Sequence, residues 1–160
     1  MLAIEEVKKC LDYAQKQADR YSGCKKVSVG AMIVPYGMKA FMLGSNNCVP
    51  DTCKTDGCRR IELYGEDSKS HRLPSDCRAV HSEIAAICNC ARSGMRTDKA
   101  TMIVTRYPCE ACARAIVSAG IKQVYYGRQQ EISEETERIF AAGHVNVIHV
   151  NDWCCADTRR

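Results

Sequence analysis

Two short motifs, each placed where a helix should begin, constrain this chain more than any other feature of its sequence. The first is His81-Ser82-Glu83 and the second is Pro108-Cys109-Glu110-Ala111-Cys112. Together they offer one imidazole, one carboxylate and two thiols, the groups needed for a zinc centre with a proton shuttle. A fold that uses both motifs has to bring two helix starts to one point.

The spacing within the motifs suits metal binding. Cys109 and Cys112 lie three residues apart, so at a helix start both thiols lie on one face of the first turn. The helix N-terminus favours the thiolates that zinc requires, and His81 at the start of a neighbouring helix offers a third ligand. Glu83 would lie roughly 200° from His81 in mid-helix, but a residue at the helix start need not follow helical geometry. A Cys-x-x-Cys pair with a redox or packing role is the alternative.

Composition narrows the class of protein. The 160 residues, 46% hydrophobic and 26% charged, are typical of one soluble globular domain spanning 1–160. The net charge of +4 suits an anionic partner but is weaker than that of most polynucleotide binders. There is no apolar run for a signal peptide or membrane span, so we expect a cytoplasmic protein. Twelve cysteines in a reducing compartment favour metal ligation over disulfides.

Hydrophobic periodicity and turn residues predict an alternation of helices and strands. The predicted helices are 3–21, 80–92, 109–119 and 133–142, and the predicted strands are 27–34, 40–43, 101–105, 123–126 and 145–150. The first two strands form a hairpin through Pro35-Tyr36-Gly37. Crossover helices favour parallel strands, so we predict a three-layer α/β/α domain with a mixed, mostly parallel five-stranded sheet.

Three segments resemble one known family. Val29 to Val34 looks like its first strand, Cys77 to Glu83 like its first metal motif, and Pro108 to Gly120 like its second. His-x-Glu followed by Pro-Cys-x-x-Cys is the signature of zinc-dependent nucleobase deaminases. The chain is similar to the cytidine and deoxycytidylate deaminase superfamily from about residue 27 to 126, and most of all to deoxycytidylate (dCMP) deaminases.

The resemblance implies the hydrolytic deamination of dCMP to dUMP, which supplies dUMP for thymidylate synthesis. In the family a zinc-bound water attacks C4 of cytosine, a glutamate moves protons to N3 and to the leaving amine, and ammonia departs. Carried over to this chain, His81, Cys109 and Cys112 are the ligands of the catalytic zinc, and Glu83 is the general acid–base.

Candidate substrate contacts follow from the same resemblance and from position. They are Asn46, Ser82, Lys25, Lys26, Thr105 and Tyr125. Asn46 matches an asparagine that contacts the sugar, within Gly44-Ser45-Asn46-Asn47 where the family usually has Gly-Tyr-Asn-Gly. The two lysines either approach the phosphate or are solvated, and Ser82 stands where the family usually has alanine. Strand alternation sends one of Tyr125 and Tyr126 into the core and leaves the other to line the pocket.

A second group of cysteines lies in the long stretch at about 48–77, which is too long for a loop without something to hold it. It resembles the inserted segment of microbial and phage dCMP deaminases, which a structural zinc holds in place. The implied ligands are Cys24, Cys53, His71 and Cys77, with Cys58 in reserve. Such a closed site would stabilise folding, whereas free surface thiols are the alternative.

The resemblance also implies partners. They are a small nucleotide substrate, dCTP and dTTP as regulators, and further copies of the chain, because relatives are commonly hexamers. Aromatic content of 6% argues against a polynucleotide channel. Alternative substrates of the same chemistry are dCTP, a modified dCMP, free cytidine or a base in a polynucleotide. A zinc-binding structural module, which would have no use for Glu83, is the non-enzymatic alternative.

Overall fold

A computed structural model describes residues 2–24, 26–37, 39–48, 52–65, 77–129 and 133–153, without the side chains of residues 48, 52 and 54. The helices are α1 (Ile4–Tyr21), α2 (Thr52–Thr55), α3 (Arg59–Tyr64), α4 (Ser82–Ser93), α5 (Glu110–Ser118) and α6 (Glu134–Ala142). The strands are β1 (Gly30–Val34), β2 (Met42–Ser45), β3 (Asn47–Cys48), β4 (Ala79–Val80), β5 (Thr101–Arg106), β6 (Gln123–Arg128) and β7 (Asn146–His149).

The main sheet has five strands in the order β2-β1-β5-β6-β7, which confirms the predicted mixed five-stranded sheet with the hairpin at one edge. Strands β5, β6 and β7 run parallel to one another, as expected for strands joined by crossover helices. Strand β1, however, is antiparallel to both β2 and β5. Only two of the four pairings are therefore parallel, fewer than "mostly parallel" implied, because the hairpin reverses the direction of β1.

Helices cover the two faces of this sheet and complete the predicted three layers. On one face α1 packs Val7 and Leu11 against Met32, Ile103 and Tyr125. The opposite face carries α4, α5 and α6. Its core includes Ala86 and Cys90 of α4, Ala113 and Ile116 of α5, and Phe140 of α6. Because side chains alternate along a strand, neighbouring residues of β5 and β6 belong to different layers.

Helix α1 is amphipathic, with one polar residue on its buried face. Val7, Leu11, Ala14 and Ala18 are buried at spacings of three and four residues, but so is Gln15. Two large hydrophobic residues of this helix, Ile4 and Tyr13, are 45% and 43% exposed. In the described ranges, no helix is both long and apolar enough to cross a membrane.

The stretch after β2 contains regular structure that the sequence did not predict. Strands β3 and β4 form a small antiparallel ladder that pairs Asn47 with Val80, so the described ends of this insert lie side by side. Between them lie α2 and α3, which at four and six residues are too short to produce helical periodicity. Arg78 forms an ion pair with Glu62 of α3, with 3.6 Å between Nη1 and Oε1. The same Nη1 donates a hydrogen bond to the Gly57 carbonyl at 3.3 Å.

Strand β2 approaches α4 so closely that only glycine fits at one position. A Cβ atom at Gly44 would lie 2.2 Å from the Ser82 carbonyl oxygen and 2.4 Å from the Ala86 amide nitrogen. Both of these atoms belong to backbone, so rotation of a side chain cannot relieve the clash. Gly44 therefore sets the distance between the sheet and the helix that begins after His81.

We expect Gly44→Ala to lower the free energy of unfolding by about 3 kcal/mol, because overpacking against backbone forces β2 and α4 apart. Urea denaturation followed by circular dichroism measures the change. Ala91→Ser, on the exposed face of α4, is the control and should stay within about 0.5 kcal/mol of the wild type. Equal stability of the two variants would contradict the close packing.

Candidate metal centre

His81 lies at the junction of β4 and α4 and has the extended backbone of an N-cap residue, with φ −68° and ψ 153°. Helical geometry begins only at Ser82. His81 therefore does not follow the 100° rotation per residue that would separate it from Glu83 within a helix. The helix start thus allows both side chains to point towards the same region.

Cys109 occupies the corresponding position at the start of α5, with φ −79° and ψ 170°. Cys112 follows in the first turn and is completely buried. The approach to this helix is held by the Tyr107 N–H group, which donates to the Arg128 carbonyl at 2.9 Å. Strand β6 therefore supports the segment that carries both thiols.

The two helix starts meet at a three-residue cluster. His81 Nδ1 lies 3.4 Å from Cys109 Sγ and 3.4 Å from Cys112 Sγ. Within the described ranges, this is the one group of three or more His, Cys, Asp or Glu side chains whose ligand atoms all lie within 4.8 Å. Tetrahedral zinc, with bonds of about 2.3 Å to sulfur and 2.0 Å to nitrogen, places those atoms about 3.5 Å apart. The cluster therefore fits zinc in both ligand type and spacing.

Hydrogen bonds within the cluster shift the pKa values of its three groups in the absence of metal. A hydrogen bond from Cys112 and another from His81 lower the pKa of Cys109 to about 3. The hydrogen bond with Cys109, together with burial and the nearby Glu83, raises the pKa of Cys112. Hydrogen bonds with Cys109 and Cys77 raise the pKa of His81 to about 10. The directions of these pKa shifts favour the thiolate form of Cys109 and the protonated forms of Cys112 and His81.

Glu83 lies in the first turn of α4 and is only 4% exposed. Burial raises the pKa of its carboxyl group above the ordinary value. The Ser82 hydroxyl donates to Glu83 Oε2 at 3.0 Å and favours the charged form. A buried carboxyl group with a raised pKa is a candidate for accepting and donating protons in a reaction.

The structure also shows where the predicted nucleotide contacts lie. Asn46 directly precedes β3, is 5% exposed and bonds to the backbone that leads into β1. Ser82 is completely buried and makes its contact with Glu83. Lys26 is half-buried, and Lys25 lies outside the described residues.

Two of the predicted contacts lie elsewhere in the structure. Tyr125 is completely buried on the α1 face of the sheet, away from α4 and α5, so strand alternation excludes it from the pocket rim. Tyr126 is the one that faces the layer of α4, α5 and α6. Thr105 is 1% exposed, and its hydroxyl accepts the Gly30 N–H at 3.1 Å, which places it in the sheet as a link between β5 and β1.

The predicted ligands of a second zinc are partly described. Cys24, Cys53 and Cys77 do not form a three-ligand group in the described part of the chain, and His71 lies outside it. Cys53 is 4% exposed, and the reserve ligand Cys58 is half-buried. The thiol of Cys77 hydrogen-bonds with His81, which lowers its pKa and associates this cysteine with the first cluster.

We expect zinc affinity to fall steeply as the pH falls. Zinc needs two thiolates and a neutral imidazole, so binding at pH 7 must displace the protons of Cys112 and His81. Two released protons lower the apparent affinity by up to about 100-fold per pH unit. Competition with a chelator between pH 6 and 8 measures the slope, and calorimetry in buffers of different ionisation enthalpy counts the protons. Release of fewer than one proton would contradict the assigned protonation states.

Comparison with known proteins also indicates a zinc-binding region. The model of the cytidine and deoxycytidylate deaminase zinc-binding region matches residues 4–128. The ComE operon protein 2 of Bacillus subtilis is 33% identical over 131 residues, covering 81% of this chain but only 63% of that protein. The deoxycytidylate deaminase of Mycobacterium phage D29 is 30% identical over 118 residues, covering 70% of this chain and 87% of the phage protein.

A solved structure shares the fold. It is the dCMP deaminase of cyanophage S-TIM5, in complex with dCMP and dUMP, which matches with a TM-score of 0.67 over 93% of this chain and 99% of the phage chain. Its sequence identity of 21% supports the fold alone. The family model covers most of the sequence and includes both metal motifs. The chain therefore belongs to the cytidine and deoxycytidylate deaminase family.

Proposed function

We propose that this chain catalyses the hydrolytic deamination of dCMP to dUMP with a bound zinc ion. The observation that carries the proposal is the three-ligand cluster with the buried carboxyl group of Glu83 beside it. Zinc in a structural site commonly has four protein ligands, whereas a catalytic site keeps one position open. Relatives named as deoxycytidylate deaminases support the choice of substrate.

His81, Cys109 and Cys112 would hold the zinc ion. Zinc held in this way lowers the pKa of a bound water and so supplies a nucleophile at neutral pH. Glu83 would accept a proton from the attacking water and donate it to N3 of cytosine. It would then take the remaining proton of the hydroxyl group added at C4 and pass it to the departing amine. One water is consumed and one ammonia is released, so the carboxyl group returns to its starting state.

Polar groups around the cluster provide candidate contacts for the rest of the nucleotide. We assign Asn46 to the sugar and Lys25 with Lys26 to the phosphate, in line with the net charge of +4. Ser82 acts on the reaction through its hydrogen bond to Glu83. We further propose that the protein works in the cytoplasm as a homo-oligomer, of which a hexamer is one form, and that dCTP and dTTP regulate it. Its product would supply thymidylate synthesis.

The proposed function predicts which cytosine compound the protein deaminates fastest. Purified protein should deaminate dCMP faster than dCTP, deoxycytidine or cytidine, as followed by the loss of cytosine absorbance. Glu83→Gln should keep its zinc but lower kcat by at least about 1,000-fold, because the amide cannot carry protons. Zinc content measured on the same sample separates loss of chemistry from loss of metal. Failure of the wild type on all four compounds would exclude the function, and an active Glu83→Gln enzyme would exclude the proton shuttle.

A second, structural zinc is proposed for the insert, with Cys24, Cys53, His71 and Cys77 as ligands and Cys58 as the replacement. A closed site would explain how the segment between β3 and β4 is held at both ends. The buried position of Cys53 supports its inclusion.

Zinc content per subunit tests this second site. We expect two ions in the wild type by elemental analysis, one in Cys53→Ser and one in Cys112→Ser, because each substitution removes a ligand from a different site. Cys88→Ser, at an exposed cysteine of α4, is the control and should retain two ions. A single ion in the wild type would contradict the structural site.

A further inference from the structure

The segment that leads into β1 is clamped by the side chain of Asn46. The N–H of Val29 donates to Asn46 Oδ1 at 2.8 Å, and Asn46 Nδ2 donates to the carbonyl of Val27 at 2.8 Å. A backbone donor therefore faces the amide oxygen and a backbone acceptor faces the amide nitrogen. This polarity fixes the orientation of the amide, since rotation by 180° would break both hydrogen bonds.

The residue between those two, Ser28, anchors the same segment to α1. Ser28 is 1% exposed, and its hydroxyl donates a short hydrogen bond to Asp19. The same hydroxyl accepts from Gln15 Nε2 at 3.0 Å, and Gln15 also donates to Asp19 at 2.8 Å. Gln15 is itself 1% exposed, and its Oε1 has no hydrogen-bond partner among the described residues.

Buried polar groups are costly unless their hydrogen bonds are made, so this network holds the segment in one position. Loss of the Ser28 hydroxyl would leave Gln15 and Asp19 without a shared partner and free the backbone on either side to shift. The Val27 carbonyl and the Val29 amide would move with it, and these two groups, together with the Ser22 hydroxyl that donates to Asn46 Oδ1 at 2.8 Å, orient the Asn46 amide. The α1 network is thus coupled to the Asn46 amide through two peptide units.

Strand pairing places Asn46 next to the metal cluster. The β3–β4 ladder pairs Asn47 with Val80 and Cys48 with Ala79. Asn46 and His81 directly adjoin the Asn47–Val80 pair at the same end of this ladder, so the two residues lie near each other. Asn46 Nδ2 has two N–H donors, and it makes one hydrogen bond, to Val27, among the described residues. The second donor remains for an acceptor atom of a ligand beside His81.

We propose that Ser28, together with Asp19 and Gln15, positions Asn46 to donate a hydrogen bond to the sugar hydroxyl oxygen of the substrate. This inference rests on the proposed function, because it assumes a cytosine nucleotide at the site. The three residues do not touch the substrate. They set the direction of the amide that does, so their loss weakens recognition of the sugar while the metal ligands and Glu83 remain in place.

The test compares dCMP with 2′,3′-dideoxycytidine monophosphate, which lacks the sugar hydroxyl. We expect Ser28→Ala and Asp19→Ala to raise KM for dCMP about tenfold, the effect of one hydrogen bond, with kcat within about twofold. Neither substitution should change KM for the dideoxy substrate, and zinc content should be unchanged. Adding Asn46→Ala to Ser28→Ala should cause no further loss with dCMP, since both remove the same contact.

Two further variants separate positioning from general stability. Asp19→Asn keeps an acceptor oxygen for Ser28 and Gln15 and should restore wild-type KM. Lys16→Ala, at an exposed position of α1 next to Gln15, is the matched control and should also behave as the wild type. If Ser28→Ala does not fold, the comparison of Asp19→Ala with Asp19→Asn tests the positioning role instead. Asp19 lies partly at the surface, so its substitution should disturb folding less.

The positioning role would be overturned if KM rose equally for the two substrates, or if both alanine variants kept the wild-type KM for dCMP. Either result would leave the proposed function intact. A wild-type protein that turns over no cytosine nucleotide would instead overturn the proposed function, and the positioning role with it. The substrate comparison therefore distinguishes the two failures.

Discussion

The meeting of two helix N-termini, those of α4 and α5, is the constraint on which the rest of this structure depends. Each terminus carries a partial positive charge, which offsets the negative charge of thiolates brought close together. His81 and Cys109 are both N-cap residues with extended backbone, so their side chains project from the helix ends rather than from the helix sides. The resulting 3.4 Å spacing between the imidazole nitrogen and each sulfur suits one tetrahedral ion.

The sheet holds the N-termini of α4 and α5 in place through close contacts with β2 and β6. Gly44 lets β2 approach the first turn of α4 to within backbone contact, while β6 supports the segment before α5 through Tyr107. The same packing buries Glu83 and raises its pKa, whereas the Ser82 hydroxyl partly stabilises its charge. Close packing therefore produces both the position and the proton affinity of the carboxyl group.

Polar residues extend the site beyond the metal ligands, and they are the part that local sequence patterns represent least well. Asn46 was expected from its resemblance to a family residue, but its bonds to Val27 and Val29 show that it also ties the end of β2 to the start of β1. Gln15 sits on the apolar face of α1, where periodicity offers no reason for a buried amide. Its partners, Ser28 and Asp19, are 13 and 4 residues away, and the more distant contact leaves no periodic signal.

The sequence alone determined the types of the elements that form the main sheet and its helix layers, because periods of 3.6 and 2 residues are local properties of a chain that buries one face. It also indicated the three residues of the candidate metal cluster, since His81, Cys109 and Cys112 have side chains of the types that bind zinc and lie at two predicted helix starts. Only the tertiary structure decided which face of the sheet Tyr125 occupies, which way β1 runs against β5, and how the insert closes through β3 and β4. Those outcomes depend on pairings between residues far apart in the chain, which no local pattern encodes.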